Sequence, residues 1–176
     1  MTASSIKNND ADVFGPQFAN DGLTSAYDHN IFTSSREDYP WIQWELPRRI
    51  RITGVSIYIR YNWFLGIGEV RAGLDPINST MRGNNITSND VCGTLQDAKR
   101  TRYLYSVKCN STILARYITV QMTQTSSTLV INELQYTTQP RALFGNFHDS
   151  FILFDSLMLT YIQKYHYNLS LALIKI

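Results

Sequence analysis

Histidine and cysteine, two residue types that often act in catalysis, are few in this chain, and nothing in the sequence points to a Ser/His/Asp site. The three histidines, His29, His148 and His166, lie in unlike contexts. The sequence contains no HExxH metal motif, nucleophile elbow, Walker loop or dinucleotide fingerprint. Gly66-Ile67-Gly68 lacks the third glycine and the following helix of a phosphate cradle, so it predicts a turn. These observations predict that the protein is not an enzyme.

Cysteines and asparagines suggest covalent chemistry of another kind. Cys92 and Cys109 lie in one polar segment, and composition alone allows either free thiols or a disulfide. Three N-glycosylation sequons fall in predicted loops and a fourth lies near the end of the chain; they begin at Asn78, Asn85, Asn110 and Asn168. The sequons favour a secretory setting.

Charge and hydropathy exclude two further classes of protein. The formal net charge is only +2, from 16 basic and 14 acidic residues, so a mixed solvated surface is expected and no nucleic-acid partner. Asp155, Lys164 and His166 interrupt the apolar runs near the end, which fall short of the roughly 20 apolar residues of a membrane span. Residues 1–13 lack the apolar stretch of a signal peptide, so none is expected in this chain.

The stretch from Tyr39 to Arg71 predicts the strands around which the domain is organised. Ile42, Trp44 and Leu46 alternate with polar residues, which is typical of a half-buried strand that Pro47 is expected to end or to place at an edge. At Gly54 the apolar set changes phase by one residue, which predicts a bulge or tight bend.

The rest of the chain to residue 137 has the same short-strand pattern. Residues 103–109 and 117–122 alternate, and residues 129–136 change phase at Asn132-Glu133, where a distortion is expected. Short strands separated by turn residues predict an all-β, antiparallel β-sandwich. We expect its core to contain Leu46, Val55, Ile57, Ile59, Ile118 and Val120.

The domain organisation follows from changes in composition. Residues 1–12 form a polar N-terminal arm, residues 13–138 form the sandwich domain, and residues 139–176 form a C-terminal extension of different character. That extension is interpreted either as an amphipathic helix or as a chance read-through of non-coding sequence.

An ordered series of motifs resembles the F-type lectins (fucolectins), a branch of the discoidin-like jelly rolls. It covers roughly residues 10–137, and residues 13–19 resemble the first strand region of that family. The series runs through Asp21-Gly22, Pro40-Trp41-Ile42, Arg60, Val70–Gly73, Cys92, Cys109, Ala115–Gln121 and Leu129–Gln135. Together with the sequons, this resemblance favours an oxidising compartment and predicts that Cys92 and Cys109 form a disulfide.

The resemblance implies a sugar site at the end of the strand that carries Arg60. F-type lectins hold L-fucose with a histidine, 26 intervening residues, an Arg-x-Asp motif and a further basic residue. Here Thr33 takes the place of the histidine, with 26 residues between it and Arg60, Asn62 replaces the aspartate, and no basic residue follows before Glu69. The site is therefore expected at Thr33, Arg60, Asn62 and Trp63, with Trp63 as an aromatic platform for the sugar.

The resemblance also implies a calcium site. Family members hold the ion with an aspartate of the DG turn, nearby loop oxygens and a glutamate on the final strand, and calcium takes six to eight oxygen ligands. The matching positions here are Asp21, Leu23, Asn30, Asn132 and Glu133. The alternative is that Asp21 only caps its turn and Glu133 pairs with an arginine.

Two functions remain open on this fold. The first is a secreted, non-catalytic lectin-like module that binds fucosylated or related glycans and holds calcium. The second is an adhesion or protein-interaction module that has lost sugar binding. The sequence does not fix the sugar or the oligomeric state, and a homo-oligomer is compatible with it.

Overall fold

The computed structural model describes residues 1–24, 30–60, 63, 65–78, 83, 86–96 and 103–139. Met1–Gln139 forms one compact unit. Asn62, Asn85, Asn168 and the predicted C-terminal extension from residue 140 onward lie outside the described residues.

Strands account for most of the described secondary structure. They are β1 (Thr2–Ala3), β2 (Phe32–Thr33), β3 (Trp41–Tyr58), β4 (Gly68–Gly73), β5 (Asp90–Leu95), β6 (Leu104–Met122), β7 (Val130–Ile131) and β8 (Glu133–Thr138). A short helix α1 (Ala11–Phe14) and 3-10 turns at Lys7–Asn9 and Pro16–Asn20 precede β2. Within this part of the chain, no helix is long and apolar enough to span a bilayer.

The strand pairs are antiparallel, and two long strands organise them. The large sheet has the order β1-β3-β6-β4-β5, with β8 on the free side of the second half of β3, and β2 pairs with β7 separately. The first half of β3 pairs with the second half of β6, which also pairs with β4, and β4 in turn pairs with β5; these strands are the first layer. The second half of β3 pairs with the first half of β6 and with β8. These two sets form the layers of the predicted all-β sandwich, which is confirmed.

Pro47 does not end its strand, which was one of the two predicted outcomes. The pairing of β3 with β6 stops after Glu45 and resumes at Ile50, so Pro47 lies in an irregular stretch inside one continuous strand. Proline is tolerated there because no ladder hydrogen bond requires its missing N–H. The two strands predicted over 103–109 and 117–122 are likewise parts of one strand, β6, with a second irregularity opposite Ile52-Gly54.

The predicted core is confirmed. Leu46, Val55, Ile57, Ile59, Ile118 and Val120 are all buried in one cluster between the layers. The predicted change of phase at Gly54 is a register irregularity of β3 against both β6 and β8. The expected distortion at Asn132 is the break between β7 and β8.

Gly54→Ala is expected to destabilise the domain by about 1–3 kcal/mol, the usual cost of overpacking. A Cβ atom at Gly54 would lie 2.7 Å from the Val107 carbonyl oxygen and 2.9 Å from Thr137 Oγ1. Both neighbours belong to paired strands, so neither can move without disturbing the sheet. Urea unfolding measures the change, with Gly22→Ala as a comparison that is strained by its positive φ but has open space. A Gly54→Ala protein as stable as wild type would contradict this account.

The start of the chain differs from the expected polar arm. Thr2 and Ala3 pair with Gln43 and Ile42, and the Ser4 and Ser5 hydroxyls both donate to Glu37 Oε1 at 2.5 Å. These bonds attach a polar segment to the sheet edge without apolar periodicity, which explains why its sequence pattern did not reveal it.

Residues 13–19 resemble the first strand region of the F-type lectins, but they do not form a strand here. The Asp10 carboxylate caps α1 by accepting from the Val13 N–H at 3.2 Å, and Pro16 begins the following 3-10 turn.

The predicted disulfide is confirmed. Cys92 of β5 and Cys109 of β6 are bonded, with Cα atoms 4.1 Å apart, and both residues are buried. The bridge ties an edge strand of the first layer to β6 beside its irregular stretch.

Candidate functional site

Strand pairing links the segments that carry Thr33, Glu133 and Arg60. Strand β2, which carries Thr33, pairs with β7, and the next residue, Asn132, donates its N–H to the Tyr58 carbonyl at 2.7 Å. Glu133 then pairs with Tyr58, which lies two residues before Arg60. Residues 130–133 therefore connect the strand of Thr33 to the end of the strand that leads to Arg60.

The residues predicted to bind sugar differ in exposure. Arg60 is half-buried just beyond the end of β3, and its carbonyl accepts the Trp63 N–H at 3.0 Å. Trp63 is 38% exposed, whereas Thr33 is only 5% exposed. Asn62 lies outside the described residues, so the convergence of the four side chains stays a prediction.

Two carboxylates lie together beside this end of the sheet. Glu133 Oε2 accepts the Gly22 N–H at 3.1 Å, and Asp21 Oδ1 accepts the Leu23 N–H at 2.9 Å. The Asn132 side-chain amide is 3.5 Å from the Thr24 carbonyl. The DG turn and the start of β8, distant in sequence, are therefore neighbours, as the calcium prediction requires.

The environment of Glu133 is unfavourable for its negative charge. The residue is 3% exposed, and burial raises the pKa of its carboxyl group above the ordinary value of 4.5. The nearby Asp21 charge also raises this pKa, whereas hydrogen bonds from the Gly22 and Asp21 backbones and the Asn20 side chain lower it. A buried carboxylate beside a second carboxylate is a place where a cation would relieve desolvation and repulsion together.

The donor set suits a hard cation better than a softer metal. Among the described residues, no three His, Cys, Asp or Glu side chains are grouped closely enough to hold an ion. A metal at Asp21 and Glu133 would thus need carbonyl or water oxygens as further ligands, which calcium accepts readily. Leu23, which is exposed, and Asn132, which is buried, lie next to the two carboxylates in sequence, and their backbone carbonyl groups are candidate ligands.

Asn30 differs from the other predicted calcium ligands. It is exposed, with a left-handed backbone (φ 60), and the described hydrogen bonds do not join it to the two carboxylates. Sequence reasoning missed Asn20 and the Gly22 N–H, which support Glu133. Gly22 has a φ of 86, which glycine adopts readily, so the Asp21-Gly22 pair predicted a turn but not the segment that the turn contacts.

The described glycosylation candidates are accessible. Asn78 and Asn110 are both exposed. Asn110 lies where the pairing of β6 with β3 is interrupted, between Lys108 and Ile113, so its side chain is not opposed by a partner strand residue.

Comparison with solved structures defines the class of fold. The chain is similar to the lectin domain of lectinolysin in complex with Lewis B antigen, at 17% identity and a TM-score of 0.60, covering 79% of this chain and 92% of that one. It is similar to an F-lectin (fucolectin) from Morone saxatilis (striped bass) serum, at 16% identity and a TM-score of 0.64, covering 82% of this chain and 48% of that one. An F5/8 type C domain from Bacteroides fragilis matches at 14% identity and a TM-score of 0.58, covering 79% and 91%.

The protein therefore has the discoidin-like fold that F-type lectins and F5/8 type C domains share, and the predicted resemblance is confirmed at that level. No protein-family model matches the sequence. No curated protein matches it either.

Proposed function

We propose that this protein is a non-catalytic carbohydrate-binding module whose sugar site lies where β3 ends at Arg60. The observation that carries the proposal is the position of Arg60, just beyond the end of a core strand, with its carbonyl hydrogen-bonded to the N–H of the exposed Trp63. Strand ends that run into loops are where sandwich proteins build binding sites. The likeness of the fold to a fucolectin and to a lectin domain bound to Lewis B supports this reading.

Arginine and tryptophan together suit a sugar. The guanidinium group presents a planar set of donors to adjacent hydroxyls, and an indole face packs against the C–H side of a pyranose ring. Thr33 is buried, so in this proposal it supports the site from below rather than forming its surface.

The ligand is fucose or a related sugar, bound weakly. Because Thr33 and Asn62 replace a histidine and an aspartate, the site has fewer charge-assisted hydrogen bonds, which are roughly twice as strong as neutral ones. Fewer fixed partners also reject fewer analogues, so selectivity is broader than for fucose alone. Such a site acts best when several copies bind one glycan surface, as in a homo-oligomer.

Calcium is the second part of the proposal. Asp21 and Glu133 would hold the ion, with oxygens of the Leu23 and Asn132 segments completing the set. A bound ion would join the DG turn to residues 132–133, and those residues hydrogen-bond Tyr58 near the end of β3. Calcium would thus brace the backbone on which Arg60 is carried.

The protein is expected to act outside the cell. Disulfides persist in oxidising compartments, and Cys92–Cys109 is of that kind. Asn78 and Asn110 are proposed as glycosylation sites, because both begin sequons and both are exposed.

Binding to a glycan array, with Arg60→Ala beside wild type, tests the sugar site. We expect wild-type binding to fucosylated or related glycans and a loss of about tenfold or more in the variant, the worth of a hydrogen bond to a charged group. Arg60→Lys should recover little, since a lysine lacks the planar fork. Arg51→Ala, an exposed arginine elsewhere on β3, is the matched control.

Binding that Arg60→Ala leaves unchanged would refute the site. No glycan binding by folded wild-type protein would favour the second function, an adhesion module on the same fold. The burial of Thr33 supports this second function, since it removes one predicted sugar contact from the surface.

A further inference from the structure

A second concave site lies on the outer face of the first layer, away from Arg60. It is a cavity of about 340 Å³ beside the start of β3, and we call it the sheet-face pocket. Its volume is at the lower end of the range for small-ligand sites, about 300–1,000 Å³. It is lined by Thr2, Trp41, Gln43, Glu45, Ile77 and Tyr117, together with Met1 and Pro76.

The register of the sheet fixes how these side chains are arranged. Trp41, Gln43 and Glu45 alternate along β3 and so share one face, and Tyr117 lies directly opposite Glu45 on β6. Trp41 and Glu45 are four residues apart, roughly 13 Å along the strand. The pocket therefore has an aromatic ring at one end, and an aromatic ring beside a carboxylate at the other.

The floor of the pocket is held rigidly. Gln43 is 4% exposed, donates from Nε2 to Thr119 Oγ1 at 3.0 Å, and accepts the Ile77 N–H at 3.1 Å. Both ends of its amide are therefore satisfied within the protein. A ligand would meet a preformed polar floor without having to break or complete a buried network.

The carboxylate at the rim remains accessible. Arg116 Nη2 donates to Glu45 Oε1 at 2.6 Å, yet the Glu45 side chain is 53% exposed. Because the ion pair is neutral overall, it does not select a charged ligand. Its carboxylate can still accept hydrogen bonds from hydroxyl groups, which are stronger when the acceptor is ionised.

These features together select one chemical class. Two aromatic side chains favour a flat C–H surface, and an accessible carboxylate favours hydroxyl donors. A wholly apolar side chain would leave the rim carboxylate desolvated without a partner, which is costly. A neutral sugar ring satisfies both demands at once.

We propose that the sheet-face pocket is a second sugar-binding site, which holds a neutral pyranose between Trp41 and Tyr117 with its hydroxyls on Glu45. The site is independent of Arg60, because its lining belongs to the first layer and Arg60 follows the end of β3 in the second. Two sites on one domain would raise the avidity for branched or clustered glycans.

Fluorine NMR of the full chain labelled with 5-fluorotryptophan separates the two sites. The chain has three tryptophans, so there is one resonance for Trp41 in the pocket, one for Trp63 near Arg60, and one for Trp44. Trp44 packs on Tyr136, with ring centroids 5.3 Å apart, and serves as the internal reference. Titration uses the methyl glycosides of fucose, galactose and N-acetylglucosamine at millimolar concentrations, with p-cresol as the probe for an apolar side chain.

A saturable shift of the Trp41 resonance with at least one glycoside is the expected result, and Arg60→Ala should not remove it. Tyr117→Leu and Glu45→Gln should each weaken that response about tenfold, while Tyr103→Leu, an exposed tyrosine outside the pocket, leaves it unchanged. Unchanged Trp44 shifts in the variants show that they remain folded.

Three results would overturn the proposal: no Trp41 response to any of the glycosides, a response to p-cresol alone, or a response that survives both pocket variants. A Trp63 response without a Trp41 response would retain the Arg60 site and reject this one. The reverse pattern would reject the Arg60 site alone.

Discussion

Replacing Cys92 and Cys109 together with alanine is expected to lower the free energy of unfolding by about 3 kcal/mol. The bridge closes a loop of 17 residues, and in the chain-entropy account its loss frees the unfolded chain over that length. Both side chains are buried, so the substitution adds a small loss of packing to the entropic one. The bond also holds β5, the last strand of its sheet, onto β6.

Urea unfolding of the double variant and of wild type measures the effect, and wild type with a reducing agent should behave like the variant. Val91→Ala, an exposed neighbour of Cys92, is the control for a substitution on β5 without loss of the bridge. A double variant that unfolds at the wild-type midpoint with an unchanged slope would show that the sheet ladders hold β5 by themselves.

Sequence alone predicted the buried strands because their signal is local. The alternation through Ile42, Trp44 and Leu46 corresponds to one face of β3. The change of phase at Gly54 corresponds to an irregularity in the register of β3. A period of two is a property of the strand itself, so it needs no knowledge of the partner.

Features that depend on partners were not predicted. The pairing of Thr2 and Ala3 with β3 uses backbone groups and serine hydroxyls, which leave no apolar pattern. The two predicted strands are parts of the single strand β6, and both parts pair with β3. That pairing depends on tertiary packing and not on the local sequence pattern.

The candidate site was likewise predicted only in part, because some of its features depend on partner segments. The resemblance to F-type lectins implied Arg60 and the pair Asp21 and Glu133, and the structure brings the latter pair together. The burial of Thr33 and of Glu133 could not be predicted, because it depends on how many neighbouring segments cover each residue. The sheet-face pocket was missed because its residues appeared only as the polar face of a strand.

Glu133→Gln is expected to change stability in opposite directions with and without calcium. In calcium-free protein, burial and Asp21 raise the pKa of Glu133, so folding favours the protonated carboxyl group. That contribution to stability is complete below the ordinary pKa of 4.5 and is lost as the pH rises through the higher folded-state pKa. Above that folded-state pKa the wild-type protein buries an unfavourable charge, and a neutral glutamine, which still accepts the Gly22 N–H, should make the calcium-free protein more stable.

Calcium is expected to reverse this order, because the proposed ion would bind the native carboxylates and stabilise by mass action, by about 2.7 kcal/mol at one hundred times its dissociation constant. Thermal unfolding in a chelator and in millimolar calcium, at pH 7 and below pH 4.5, measures all four conditions. Wild type should gain stability from calcium at pH 7, the variant should gain none, and the difference between them in chelator should shrink at the lower pH. Glu69→Gln, whose carboxylate already accepts from Arg71 Nε, is the matched control for loss of a carboxylate away from this end of the sheet. Equal calcium shifts in wild type and Glu133→Gln would place any bound ion elsewhere, and a variant less stable than wild type in chelator would mean that the hydrogen bonds to Glu133 outweigh its burial.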